Sequence, residues 1–221
     1  MQVFFLFVTL IVAIQPAVLN AGGVFINTDS VRGVVAVKSW KEMRDDRIVK
    51  QDLDYSCGAA SLATVLREYY GMEITEEEVL DAMGKEDGLA SFQDLATVAR
   101  SHGFLAQGIA LSFAKLKTLK IPAIAYLRHQ RDDHFTVIRG IDSEGHVWLG
   151  DSLWGNRHFT EYQFRAMWET REDEELKGKI LLVLPAPGKT DFKIPEDTFF
   201  TRLMPLRNRL SEQLVEIQAL R

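Results

Sequence analysis

No internal disulfide can form in this chain, because its 221 residues contain a single cysteine, Cys57. No internal repeat and no low-complexity tract is present, which excludes solenoid and compositionally biased architectures and leaves one domain with tails as the simplest organisation. A basic stripe interleaved with aromatics is also missing. The formal net charge is −5, with local acidic runs at Glu76-Glu77-Glu78 and Glu172-Asp173-Glu174-Glu175, so nucleic acid is not expected as a partner. No apolar run reaches the roughly 20 residues of a spanning helix, since Pro16 interrupts the one beginning at Val3. What remains is ample for one core: 47% of the residues are hydrophobic and 26% charged.

The run Val3–Ile14 has the length of a signal-peptide core, and the Gln15-Pro16 break and small residues around Ala21 suit cleavage after Ala21. No Lys or Arg precedes it, so an uncleaved anchor is the alternative. The expected organisation is a signal peptide over 1–21, an N-terminal arm over 22–47, a main domain over 48–187 and a tail over 188–221. The expected location is outside the cytoplasm, periplasmic or secreted from a bacterium, with no membrane span once the signal is removed. A lone thiol in an exported protein is either reactive or deeply buried.

Cys57 lies in Gln51-Asp52-Leu53-Asp54-Tyr55-Ser56-Cys57-Gly58-Ala59-Ala60. From there Leu62, Val65, Leu66 and Tyr69 recur at helical spacing, predicting a helix with one buried face that runs to Tyr70 and stops at Gly71. Cys57 then sits on the first turn, where unpaired N–H groups and the helix dipole favour a thiolate. Upstream, Val24–Val37 reads as a short hairpin, and Lys38–Arg47 as a charged connector anchored by Trp40. Downstream, Thr75/Glu78 and Thr160/Gln163 are capping-box pairs opening helices that end at Met83 and Trp168, and Ser91 caps a third that ends at Gly103. Strands are expected at Phe104–Leu111, Ala123–Leu127, His134–Ile141, His146–Gly150 and Lys179–Leu184, with a short helical turn at Phe113–Leu119. His134 and Asp151 fall at the same end of an antiparallel hairpin turned at Asp142–Gly145.

The order Gln51, Cys57, His134, Asp151, with Gln51 six positions before Cys-Gly-Ala, with His134-Phe135-Thr136-Val137-Ile138 and with Gly150-Asp151, closely resembles the C39 family of cysteine peptidases from Val49 to Pro185. The resemblance implies an α+β, papain-like cysteine peptidase fold: an N-terminal helical half with the nucleophile at a helix start, packed on an antiparallel sheet. It implies Cys57 as nucleophile, His134 as general base and acid, Asp151 as the group orienting His134, and Gln51 as an oxyanion-hole donor. Residue chemistry accords with those roles: a Cys–His pair supports the ionised thiol, a carboxylate on the far nitrogen fixes the tautomer, and an amide with the Cys57 N–H meets an oxyanion. Two features depart from the family pattern. Ser152 stands where proline usually follows the aspartate, and no transporter segment accompanies the domain, so double-glycine specificity is not carried over to it. Gly22-Gly23 reads as a flexible junction.

Each residue also has a simpler role open to it. Cys57 could be a small buried hydrophobe, His134 an edge histidine, Asp151 the start of a turn toward Gly155-Asn156, and Gln51 a polar lead-in. Asp132-Asp133-His134 suggests metal binding, but consecutive residues of an extended segment point to alternate faces, so no metal and no cofactor is expected. His102, His129, His146 and His158 read as helix-end or surface residues. Leu210, Leu214, Ile217 and Leu220 mark an amphipathic C-terminal helix, expected to dock on its own domain, with partner binding as the second reading. The functional expectation is a cysteine peptidase acting on a peptide or protein. Its alternative is an exported peptide-binding or assembly factor that keeps the cleft without productive turnover.

Overall fold

The computed structural model describes residues 23–27, 32–85, 89–129, 132–173 and 175–192. The expected signal segment and amphipathic C-terminal helix lie outside them. The described residues fall into two units divided after Glu42. In the first, β1 (Gly23–Asn27) and β2 (Arg32–Ala36) pair antiparallel, with Gly23 opposite Ala36, as the β-branched residues around the turn signals dictate. The connector is helical over α1 (Trp40–Arg44). Trp40, expected as a packed anchor, is 74% exposed, and α1 has no buried residue.

The second unit opens with α2 (Cys57–Thr64), which runs on into a π-helical turn (Val65–Tyr69) before Gly71 takes a positive φ of 67°. The expected single buried face is exceeded. Every residue of α2 is buried, as are Val65, Leu66 and Tyr69. The small residues Gly58, Ala59, Ala60, Ser61 and Ala63 make this possible, since a helix without bulk on any side can be covered on all sides. Next come α3 (Glu76–Met83) and α4 (Phe92–Ser101), each opened by a complete capping box, Thr75 with Glu78 and Ser91 with Asp94. Gly84 ends α3 in the left-handed conformation that its missing Cβ permits.

The sheet is built from β3 (Phe104–Leu111), β4 (Ala123–His129), β5 (Asp132–Ile141), β6 (Val147–Asp151), β7 (Gly155–Phe159) and β8 (Gly178–Pro185), in the order β3-β8-β4-β5-β6-β7, all antiparallel. Two short helices interrupt it, α5 (Phe113–Leu116) after β3 and α6 (Glu161–Trp168) after β7. Strand β7 was not expected, because Gly155-Asn156-Arg157-His158-Phe159 has little apolar alternation and buries only Gly155.

Period-two alternation sorts the sheet residues into two cores. Phe104, Ala106, Ile124, Phe135, Val137, Leu181 and Val183 face α2, α3 and α4. Leu111, Ala123, Ala125, Leu127, Ile138, Val147, Leu149 and Ile180 pack with Phe113, Leu116, Phe164 and Trp168 of α5 and α6. The sheet is therefore covered on both faces, by α2, α3 and α4 on one and by α5 and α6 on the other. Tyr70 ties the first core to the sheet by donating to Val183 O at 2.7 Å.

Candidate active site

Cys57 is the first residue of α2 and is 9% exposed. The amide groups of the first helical turn have no carbonyl four residues back to bond. Ser56, the residue before the helix, leaves them without a side-chain cap, because its hydroxyl turns back to donate to Leu53 O at 2.8 Å. The helix start thus presents N–H groups beside the thiol. Gly58 follows because nothing larger fits: a Cβ there would lie 2.6 Å from Ala90 Cβ and 3.2 Å from a Phe135 ring carbon.

Strand register supplies the partner residues. Val137 lies opposite Gly150, so His134 on β5 and Asp151 at the end of β6 reach the same end of the pair. His134 Nε2 is 2.7 Å from Asp151 Oδ2, which leaves Nδ1 as the ring nitrogen free of the carboxylate, and Cys57 is near enough to the ring to favour its protonated form. Asp151 Oδ1 accepts the N–H groups of Leu153 at 3.0 Å and Trp154 at 2.8 Å. That turn sets the carboxylate's pose without the proline of the family pattern.

Burial works against charge on both members of the pair, and contacts override it. For His134 the bonds to Asp151 and Cys57 outweigh desolvation and raise the pKa from 6.5 to about 10. For Asp151 desolvation is likewise outweighed, by His134 and the two backbone N–H groups, and the carboxyl stays below its ordinary range. The arrangement thus favours the protonated imidazole beside Cys57.

Gln51 sits on the segment leading to Cys57, docked on the Asp151 loop. Its backbone N–H donates to Ser152 O at 3.3 Å, and its Oε1 accepts the Ser152 hydroxyl at 2.8 Å. Its Nε2 donates to Leu53 O at 2.9 Å and, at the limit of a hydrogen bond, to Asp54 O at 3.5 Å. Lys50 Nζ donates to Leu153 O at 2.7 Å across the same junction.

Two residues of this assembly carried no signal in the sequence. Ser152 was visible only as a departure from the family pattern, yet it is 1% exposed. Glu76 looked like part of a solvated acidic run, but it is 5% exposed and its carboxylate accepts the Asp52 N–H at 3.0 and 3.2 Å. Of the residues considered for a metal, Asp133 is engaged by Arg128 at 3.4 Å while His134 is turned to Asp151. His102 bonds Val98 O and His146 bonds Asp142.

The Peptidase C39 family profile matches residues 45–171. The chain is 33% identical over 140 residues to a probable functional amyloid protease, FapD, of Pseudomonas aeruginosa, a match covering 60% of this chain and 61% of that protein. The chain thus spans less than two thirds of that curated relative. A double glycine motif protease from an AMS/PCAT transporter, solved in complex with the leader peptide, aligns at 26% identity and a TM-score of 0.51, covering 63% of this chain and 91% of that one. The peptidase domain of Streptococcus ComA aligns at 19% identity and a TM-score of 0.53, over 63% and 98% of the two chains, and shares the fold. With helices and sheet in the papain-like arrangement and the family profile spanning over half its length, the chain belongs to the C39 family of cysteine peptidases.

Proposed function

We propose that this protein is an exported cysteine peptidase in which Cys57, His134, Asp151 and Gln51 form the catalytic set. The observation that supports it is the 2.7 Å contact of His134 Nε2 with Asp151 Oδ2, with Cys57 at the start of α2 near enough to raise the pKa of the same ring. The ionised sulfur attacks a peptide carbonyl, forming the C–S bond as the carbonyl electron pair moves to oxygen. The oxyanion meets the Cys57 N–H and Gln51 Nε2, displacing the weak contact to Asp54 O. The C–N bond then breaks as imidazolium Nδ1–H protonates the leaving amine. Water, giving its proton to His134, cleaves the thioester and returns the thiolate.

Leu53, Tyr55, Leu153 and Trp154, each 41–58% exposed, lie on the two segments that carry Gln51, Cys57 and Asp151. Their exposed side chains are the proposed apolar rim for a polypeptide substrate with apolar side chains. The FapD description supports a polypeptide of a functional-amyloid system as that substrate. Export rests on the apolar run Val3–Ile14, and the domain boundaries proposed are 1–21 for the signal, 22–47 for the arm, 48–187 for the peptidase and 188–221 for the tail.

The deciding experiment is the rate of Cys57 alkylation by iodoacetamide against pH, in the wild type and in His134→Ala. A plateau well below the free-thiol range that disappears in His134→Ala is the expected result. Ordinary thiol titration in both proteins would sink the peptidase reading and leave the peptide-binding factor in its place.

A further inference from the structure

We propose that Ser152 is the positioning residue of the oxyanion donor, acting through the Gln51 side-chain amide. The inference rests on the proposed role of Gln51. An amide can be turned end for end, and only its neighbours decide which end points where. Carbonyl oxygens only accept hydrogen bonds, so Leu53 O at 2.9 Å and Asp54 O at 3.5 Å demand the nitrogen end. Oε1 is then left for the Ser152 hydroxyl, which donates to it at 2.8 Å. The two sets of contacts specify the same orientation, and the Ser152 contact is the one that touches the oxygen.

Burial gives the contact its weight. Ser152 is 1% exposed, so bulk water does not take the place of its hydroxyl if it is removed. Removing it frees Oε1 and leaves the amide held at its nitrogen end alone, by Leu53 O, while the backbone stays docked through Gln51 N–H to Ser152 O and Asp52 N–H to Glu76. The neighbouring Asp151 carboxylate is held independently, by His134 on Oδ2 and by Leu153 and Trp154 on Oδ1. Adjacent residues thus orient the two halves of the machinery: Asp151 aligns the imidazole, and Ser152 aligns the amide that meets the developing negative charge.

The test separates reactions that need an oxyanion from one that does not. Hydrolysis of p-nitrophenyl acetate passes through an oxyanion, whereas alkylation by iodoacetamide does not. Ser152→Ala should lower kcat for the ester about threefold to tenfold with KM unchanged, while the alkylation rate and its pH profile match the wild type. Ser152→Thr, which keeps the hydroxyl, should recover kcat. In a Gln51→Ala background Ser152→Ala should cost nothing further, because the group it positions is gone. Full kcat in Ser152→Ala, additive losses in the double variant, or an altered alkylation profile would each overturn the proposal while leaving Gln51 as donor. Wild-type kcat in Gln51→Ala would instead remove the donor assignment, and this inference with it.

Discussion

His134 and Asp151 are joined by a 2.7 Å bond between Nε2 and Oδ2, and the opposite oxygen of the carboxylate is pinned by two backbone N–H groups. The carboxylate cannot rotate without breaking three contacts. In the proposed catalytic set it orients the ring and also stabilises its charge. Asp151→Asn keeps the shape and removes the charge, so the ring loses the carboxylate as hydrogen-bond acceptor and as counter-charge, both of which raise the His134 pKa against burial. The wild-type rate should fall on the alkaline side as pH rises through about 10, where the imidazolium loses its proton. In Asp151→Asn that limb should move to lower pH and kcat/KM should fall by about 10²–10⁴, read from the pH–rate profile of ester hydrolysis.

The same pair makes stability depend on pH. His134 has a raised pKa in the folded state, so its contribution is fully present below 6.5 and is lost as pH rises through about 10. Asp151 has a lowered one, so its contribution is present above 3.8 and is lost as pH falls below that value. Chemical denaturation of the wild type should show a stability plateau between these limits, and the difference from Asp151→Asn should be largest inside it.

Gln51→Ala should reduce kcat for ester hydrolysis by about 10²–10³ with a small change in KM, the pattern of a donor that acts on the transition state. The iodoacetamide rate should be unaffected. An equal loss in both reactions would mean that Gln51 acts by holding the loop, not by meeting the oxyanion.

Gly58→Ala places a methyl 2.6 Å from Ala90 Cβ, where α2 and the segment before α4 come into contact. Overpacking of this kind costs about 1–3 kcal/mol, so the denaturation midpoint should drop with the slope unchanged. Reactivity of Cys57 should fall with it, because the strain is relieved by moving the helix start.

Trp154 is 58% exposed, with the Arg157 guanidinium 5.6 Å from its ring centroid. Trp154→Ala should leave kcat and alkylation unchanged and raise KM about tenfold for a fluorogenic peptide rich in apolar residues. An unchanged KM would remove the apolar rim from the substrate path.

Local patterns in the sequence specify a large share of this protein. The capping boxes at Thr75 and Thr160, the stop at Gly84, the hairpin turn at Asp142–Gly145 and the placement of Cys57 at a helix start all follow from contacts within a few residues, where spacing alone sets geometry. The nearness of His134 to Asp151 was legible for the same reason, since one hairpin relates them. Strand β7 was not legible, because its place in the sheet comes from pairing with β6 and not from its own composition. The all-round burial of α2 and the helical cover on both faces of the sheet likewise depend on how elements pack, which period and propensity do not encode. Ser152 shows the limit most clearly: Gln51 lies 101 positions away along the chain, and only the docking of two loops gives its hydroxyl a partner. The sequence alone set the elements and the candidate site residues. The tertiary structure decided which buried polar atoms meet, because a hydrogen bond between distant segments depends on the closed fold and leaves no periodic trace along the chain.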